Sequence, residues 1–119
     1  MNRKLLALLM ATITLPAAAA QYVKPGAVLT LNPGKGNAEF NINASTGNGS
    51  GVCNMDGTAQ QIAAGEKQKH RWVWNDNASQ CVAIISELNN GKTSVMTRGC
   101  EGYCGVSATG AMDGLFNKK

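Results

Sequence analysis

Four cysteines, one histidine and seven carboxylates are the residues of this 119-residue chain whose types could do chemistry. Cys53, Cys81, Cys100 and Cys104 are even in number. In a short chain that carries an export signal, such a set reads as two disulfides. Four cysteines admit three pairings, and spacing alone does not choose among them. The expected set is Cys53–Cys81 with Cys100–Cys104, the second closing a small loop around Glu101, Gly102 and Tyr103. The competing use is a metal site of cysteine thiolates and His70. It needs free thiolates, which an oxidising compartment removes, so no metal ligand is assigned.

His70 stands between Lys69 and Arg71, where a surface imidazole is unremarkable. A nucleophilic triad needs a serine or thiol and an orienting carboxylate nearby, and no Gly-x-Ser-x-Gly elbow occurs. Paired carboxylates could support glycoside hydrolysis. The candidates are Asp56, Glu66, Asp76, Glu87, Glu101 and Asp113, but no spacing singles out a pair. Asp56 and Asp113 each precede a glycine, a common turn position. No phosphate loop, zinc-helix motif, dinucleotide fingerprint or calcium loop is present. The expectation is therefore a binding protein rather than an enzyme, with no catalytic residue and no cofactor.

The side chains best suited to binding are aromatic and charged groups near the cysteines. Tyr and Trp serve as interface anchors. Tyr103 sits in a tight loop with Arg98 and Glu101 close by, where an exposed rigid ring is expected. Trp74 is the second aromatic candidate, although tryptophans in so small a domain also serve as core. Arg98, Glu101, Tyr103 and Trp74 form the expected binding set.

The elements that must position these residues are strands. Ala38, Phe40, Ile42 and Ala44 alternate with Glu39, Asn41 and Asn43, the two-residue period of a half-buried strand. Ala27 to Leu31 is a shorter apolar run closed by Asn32, Pro33 and Gly34. The uncharged run Ser45 to Gly51 reads as a glycine-rich loop. Val52 to Ile62 is the next strand, with Gly57 as a bulge or close-approach position. In Arg71-Trp72-Val73-Trp74 a strand places both indoles on one face. Asn75 to Ala78 reads as a turn. Residues 81–88 and 92–98 are expected as a hairpin, with Asn90-Gly91 signalling a type I′ turn. About seven short strands predict an all-β fold: a small antiparallel sheet, sandwich or barrel stapled by two disulfides.

Residues 1–20 have the three parts of a cleavable signal peptide: basic Arg3 and Lys4, the apolar stretch Leu5 to Leu15, and Ala17 to Ala20 with an A-x-A pattern. Cleavage is expected between Ala20 and Gln21, leaving 21–119 as one small secreted domain. The apolar stretch is too short to span a bilayer stably, so no stable membrane insertion is expected. Without Arg3 and Lys4 the domain holds nine basic and seven acidic residues, net +2 against +4 for the whole chain. Its positive residues are mostly dispersed, and so small an excess gives no case for nucleic-acid binding. The three Asn-x-Ser sequons at Asn43, Asn48 and Asn77 matter only in a eukaryotic secretory pathway.

The segment Arg98-Gly99-Cys100-Glu101-Gly102-Tyr103-Cys104-Gly105, with Ala108 and Met112 to Phe116 behind it, resembles a group of small exported bacterial proteins of undefined function. Trp72-Val73-Trp74, Asp76 and Cys81 fit the same pattern. At the level of architecture the chain is also similar to periplasmic inhibitors of lysozyme, which are small disulfide-bonded antiparallel β proteins. The membrane-associated class of those inhibitors carries a Ser-Gly loop followed by a tyrosine. Here Ser50-Gly51 leads into Val52-Cys53, so its inhibitory residues are not carried over. The resemblance implies a periplasmic or secreted inhibitor or immunity protein, its partner a cell-wall hydrolase. The alternatives are an envelope protein that binds glycan and, behind it, a small hydrolase.

Overall fold

The computed structural model describes residues 19–46, 51–105, 108 and 110–119. The expected signal segment up to 18 and the centre of the glycine-rich loop, 47–50, lie outside the described residues. Eight strands follow one another: β1 (Ala20–Lys24), β2 (Ala27–Pro33), β3 (Asn37–Ser45), β4 (Val52–Ile62), β5 (Gln68–Asn75), β6 (Val82–Leu88), β7 (Thr93–Arg98) and β8 (Gly114–Lys118). They pair antiparallel in sequence order and close into a barrel. Of the three expected architectures, the barrel is the one formed. Among the described residues no helix is long and apolar enough to cross a membrane.

Side-chain alternation builds the interior. In β3, Ala38, Phe40, Ile42 and Ala44 point inward and are buried. Their partners across β2 and β4, such as Leu29, Leu31 and Met55, are buried as well. Burying one such Leu or Ile contributes about 1.5–3 kcal/mol. Trp72 and Phe116 fill the space with the largest fully buried rings. Closure comes from β1 and β8, paired through Tyr22↔Lys118 and Val23↔Asn117. The Lys119 N–H adds a bond to the Gln21 carbonyl at 2.9 Å. β1 was not among the expected strands, because Tyr22 is its one fully buried side chain and gives no alternation to read. Ala20, the residue expected before the cleavage point, opens β1 opposite Leu31.

The hairpin of β6 and β7 forms in the expected place, but its turn differs. A type I′ turn needs positive φ at both central residues, and no non-glycine residue here has positive φ. Only Gly91 does, at +90°. The Gly91 N–H bonds to the Leu88 carbonyl and the Leu88 N–H to the Lys92 carbonyl. A three-residue loop, Asn89-Asn90-Gly91, thus places glycine at its left-handed third position.

The antiparallel order sorts the connections between two ends. One end carries the β1–β2 turn, the β3–β4 loop, the β5–β6 turn around Asp76 and the β7–β8 connection over 99–113. The other carries the β2–β3, β4–β5 and β6–β7 connections and the two ends of the barrel chain.

Candidate functional site: the disulfide-clamped end of the barrel

The disulfides are Cys53–Cys104 and Cys81–Cys100, which corrects both expected bridges. The reason is topological. Cys53 lies on β4 and Cys81 just before β6, with β5 between them. Cys100 follows β7, the hydrogen-bonded neighbour of β6, so it faces Cys81 across that pair. A single 3₁₀ turn, Glu101–Tyr103, then carries the chain from Cys100 across to β4. Two structural disulfides fit an oxidising extracytoplasmic compartment.

The sheet register explains why this segment is needed. β4 has eleven residues, yet β5 pairs with it only through Gln60, Gln61 and Ile62. The start of β4 therefore lacks a β5 partner. Cys104 takes that place, forming an isolated antiparallel bridge with Cys53. The Gly105 N–H adds a bond to the Val52 carbonyl at 3.3 Å.

Trp74 and Tyr103 pack into the same region. Gly57 faces the barrel interior opposite Phe40. A Cβ there would stand 2.4 Å from Trp74 Nε1. Gly57 is thus the close-approach position that its place in a strand signalled, and the indole lies directly over it. Trp74 meets Phe40 edge to face at 5.6 Å and Tyr103 edge to face at 5.9 Å, spacings at which ring quadrupoles attract. Both Trp74 and Tyr103 are partly buried against the core. The exposed ring expected at Tyr103 is thus half-buried.

The Tyr103 hydroxyl donates to the Asp76 carboxylate. The same carboxylate accepts from the Ala78 N–H at 2.9 Å and the Ser79 hydroxyl at 3.0 Å. Asp76 thereby ties its own turn to a ring 27 residues further on. Donation from Tyr103, then from Ala78, holds the Asp76 carboxyl below its ordinary value, and the bond to Asp76 raises the Tyr103 hydroxyl above its own. The sequence signalled the Asp76 turn but not its distant partner.

Glycine is demanded once more at Gly99. Its φ is +71°, and a Cβ would lie 2.7 Å from the Gln80 carbonyl. Behind it, the Asp113 carboxylate accepts from both the backbone N–H (2.9 Å) and the hydroxyl (2.7 Å) of Thr97. Arg98, Glu101 and Asp113 line a hollow of about 90 Å³ between these anchors. Ligand pockets run to several hundred cubic ångströms, so this one suits a single protruding side chain. All four expected binding residues lie at this end. Arg98 and Glu101 share the hollow and are exposed, while Trp74 and Tyr103 support the segment from beneath.

His70 lies at the opposite end, with Nδ1 2.7 Å from Glu87 and its ring stacked on Trp72. Neither side chain belongs to the clamped end. Among the described residues no group of three or more His, Cys, Asp or Glu side chains could hold a metal ion. Comparison with family models, with curated proteins and with solved structures finds no match for this chain.

Proposed function

We propose that this is a secreted or periplasmic binding protein that inhibits a cell-wall hydrolase of the lysozyme kind, docking through the clamped end. One observation carries the reading. The exposed pair Glu101 and Gly102 sits on a 3₁₀ turn bracketed by two disulfides that anchor it to β4 and to the β6 side. Tyr103, immediately after, is pinned to Asp76. A segment fixed before binding loses little entropy on docking, and such a segment can block a cleft by bulk alone.

The net charge of +2 offers no general steering toward a cationic target. Its distribution removes that objection. The clamped end holds Asp76, Glu101 and Asp113 against Lys24 and Arg98, so it carries no positive excess. Glycan binding by Trp74 and Tyr103 is the weaker reading, because both rings are half-buried and packed edge-on. The proposal assigns no catalytic residue to this end. Asp76 is taken up by Tyr103, Ala78 and Ser79, and Asp113 by Thr97.

The test is the rate of cell-wall lysis by a panel of muramidases and amidases with the purified processed protein added. Slowing of one class at stoichiometric protein is expected. An unchanged rate across the panel at micromolar excess rejects the proposal. A shift in tryptophan emission on adding peptidoglycan fragments, with no effect on any hydrolase, points to the glycan reading.

A further inference from the structure

The lysines look scattered along the chain, but the barrel gathers them. Lys35 lies in the β2–β3 turn, Lys67 and Lys69 where β5 begins, Lys92 in the β6–β7 turn, and Lys118 and Lys119 at the end of β8. All six are exposed and all lie at the end opposite the disulfides. Glu39, Glu66 and Glu87 oppose them while Arg71, paired with Ile62 at the end of β4, adds a seventh positive charge, and Glu87 is engaged by His70 at 2.7 Å. This end therefore carries formal net +4, twice the value of the whole domain, and the rest of the barrel is net −2.

From this we infer that the lysine-ringed end docks on an anionic phospholipid surface and turns the clamped end away from it. Two features select that partner. The six ammonium groups come from three connections and the end of β8 around one rim, so together they present a disc of positive charge suited to a plane of headgroups. Lysine is a flexible point charge without the planar fork that reads one phosphate or one base edge. A second copy is a poorer fit, since the clamped end offers Arg98 and Lys24 beside its three carboxylates. Polybasic clusters gain affinity for anionic leaflets charge by charge and lose it as salt rises. The contact is peripheral and does not depend on the target of the clamped end.

Co-sedimentation with lipid vesicles tests the inference, using protein recovered after export, with its N terminus recorded by mass spectrometry. Vesicles containing phosphatidylglycerol are expected to retain it and pure phosphatidylcholine vesicles to leave it in solution. Retention should collapse at about 1 M salt, where the Debye length is about 3 Å. Lys67→Glu with Lys69→Glu should weaken retention by more than about tenfold. Lys24→Glu with Arg98→Glu makes the same change in net charge at the other end and should leave most retention in place. Circular dichroism confirms that both double variants are folded. Equal retention on both vesicle types overturns the inference. So does an equal loss in the two double variants, which reduces the effect to net charge. Concentration-dependent self-association without vesicle binding overturns it in favour of a second copy.

Discussion

Replacing Gly57 by alanine adds one methyl group and should disturb the whole clamped end. The new Cβ would lie 2.4 Å from Nε1, 2.9 Å from Cε2 and 3.0 Å from Cδ1 of Trp74. All three atoms belong to a rigid ring, so no flexible side-chain end can yield. An ordinary contact begins near 3.4 Å, which requires the indole to retreat by about 1 Å. Phe40 and Tyr103 hold its edges and oppose that movement. Overpacking of this kind costs about 1–3 kcal/mol. For a domain of about 100 residues each kcal/mol lowers Tm by about 4–8 °C. Gly57→Ala should therefore lower Tm by at least about 4 °C and change the tryptophan emission. Trp74→Leu should destabilise alone by emptying the site, yet the double variant should be more stable than additivity predicts, because each change relieves the other. The assay is thermal unfolding of the four proteins, followed by circular dichroism and fluorescence. A Gly57→Ala protein with parental Tm and parental emission refutes the reasoning, as does strict additivity in the double variant.

Three further outcomes follow from the same end of the barrel. Replacing Cys53 and Cys104 by serine frees a 51-residue separation and should cost about 4 kcal/mol by the chain-entropy account. Replacing Cys81 and Cys100 frees 19 residues and should cost about 3 kcal/mol, an order that denaturant titration checks. The Asp76–Tyr103 bond gives a pH signature. A carboxylate lowered in the folded state adds stability above the unfolded-state value near 3.8 and loses it as pH falls through its lower folded value. A tyrosine raised in the folded state adds stability below its ordinary 10.0 and loses it as pH rises through its higher folded value. Tyr103→Phe should flatten both limbs of the Tm–pH curve, and Asp76→Asn should lower the pH at which Tyr103 forms phenolate absorbance. Gly99→Ala, at φ +71° and 2.7 Å from a carbonyl oxygen, should misplace Cys100 and leave a fraction of the thiols free by alkylation and mass spectrometry.

Much of the barrel wall was legible because burial imposes a two-residue period. Ala38 to Ala44 displayed it, and Trp72 and Trp74 shared a face as a strand requires. The hairpin of β6 and β7 was legible from its flanks, although Asn90-Gly91 suggested the wrong turn, since only its glycine takes positive φ. Closure was not legible. It rests on the short β1–β8 pairing, which has no local signal in either strand. The disulfide pairing was hidden for the same reason, because it follows from which strands become neighbours. The four residues the sequence singled out, Trp74, Arg98, Glu101 and Tyr103, do come to one end of the barrel, but the sequence did not show which are exposed and which are packed beneath. That arrangement depends on the start of β4, which β5 does not reach, and on Asp76, whose partner is 27 residues away. The lysine rim was equally invisible, because its six members come from four stretches of chain that only the barrel brings together.

The most direct test of the functional reading is a stoichiometric titration of the most strongly inhibited hydrolase with the parent protein and with Arg98→Ala combined with Glu101→Ala. Both positions are exposed beside the hollow, and Tyr103 and the disulfides stay in place. The account predicts one-to-one inhibition by the parent and a loss of affinity of at least about tenfold in the variant, the size expected when interface anchors are truncated. Identical inhibition by the two folded proteins, or none by the parent, contradicts it.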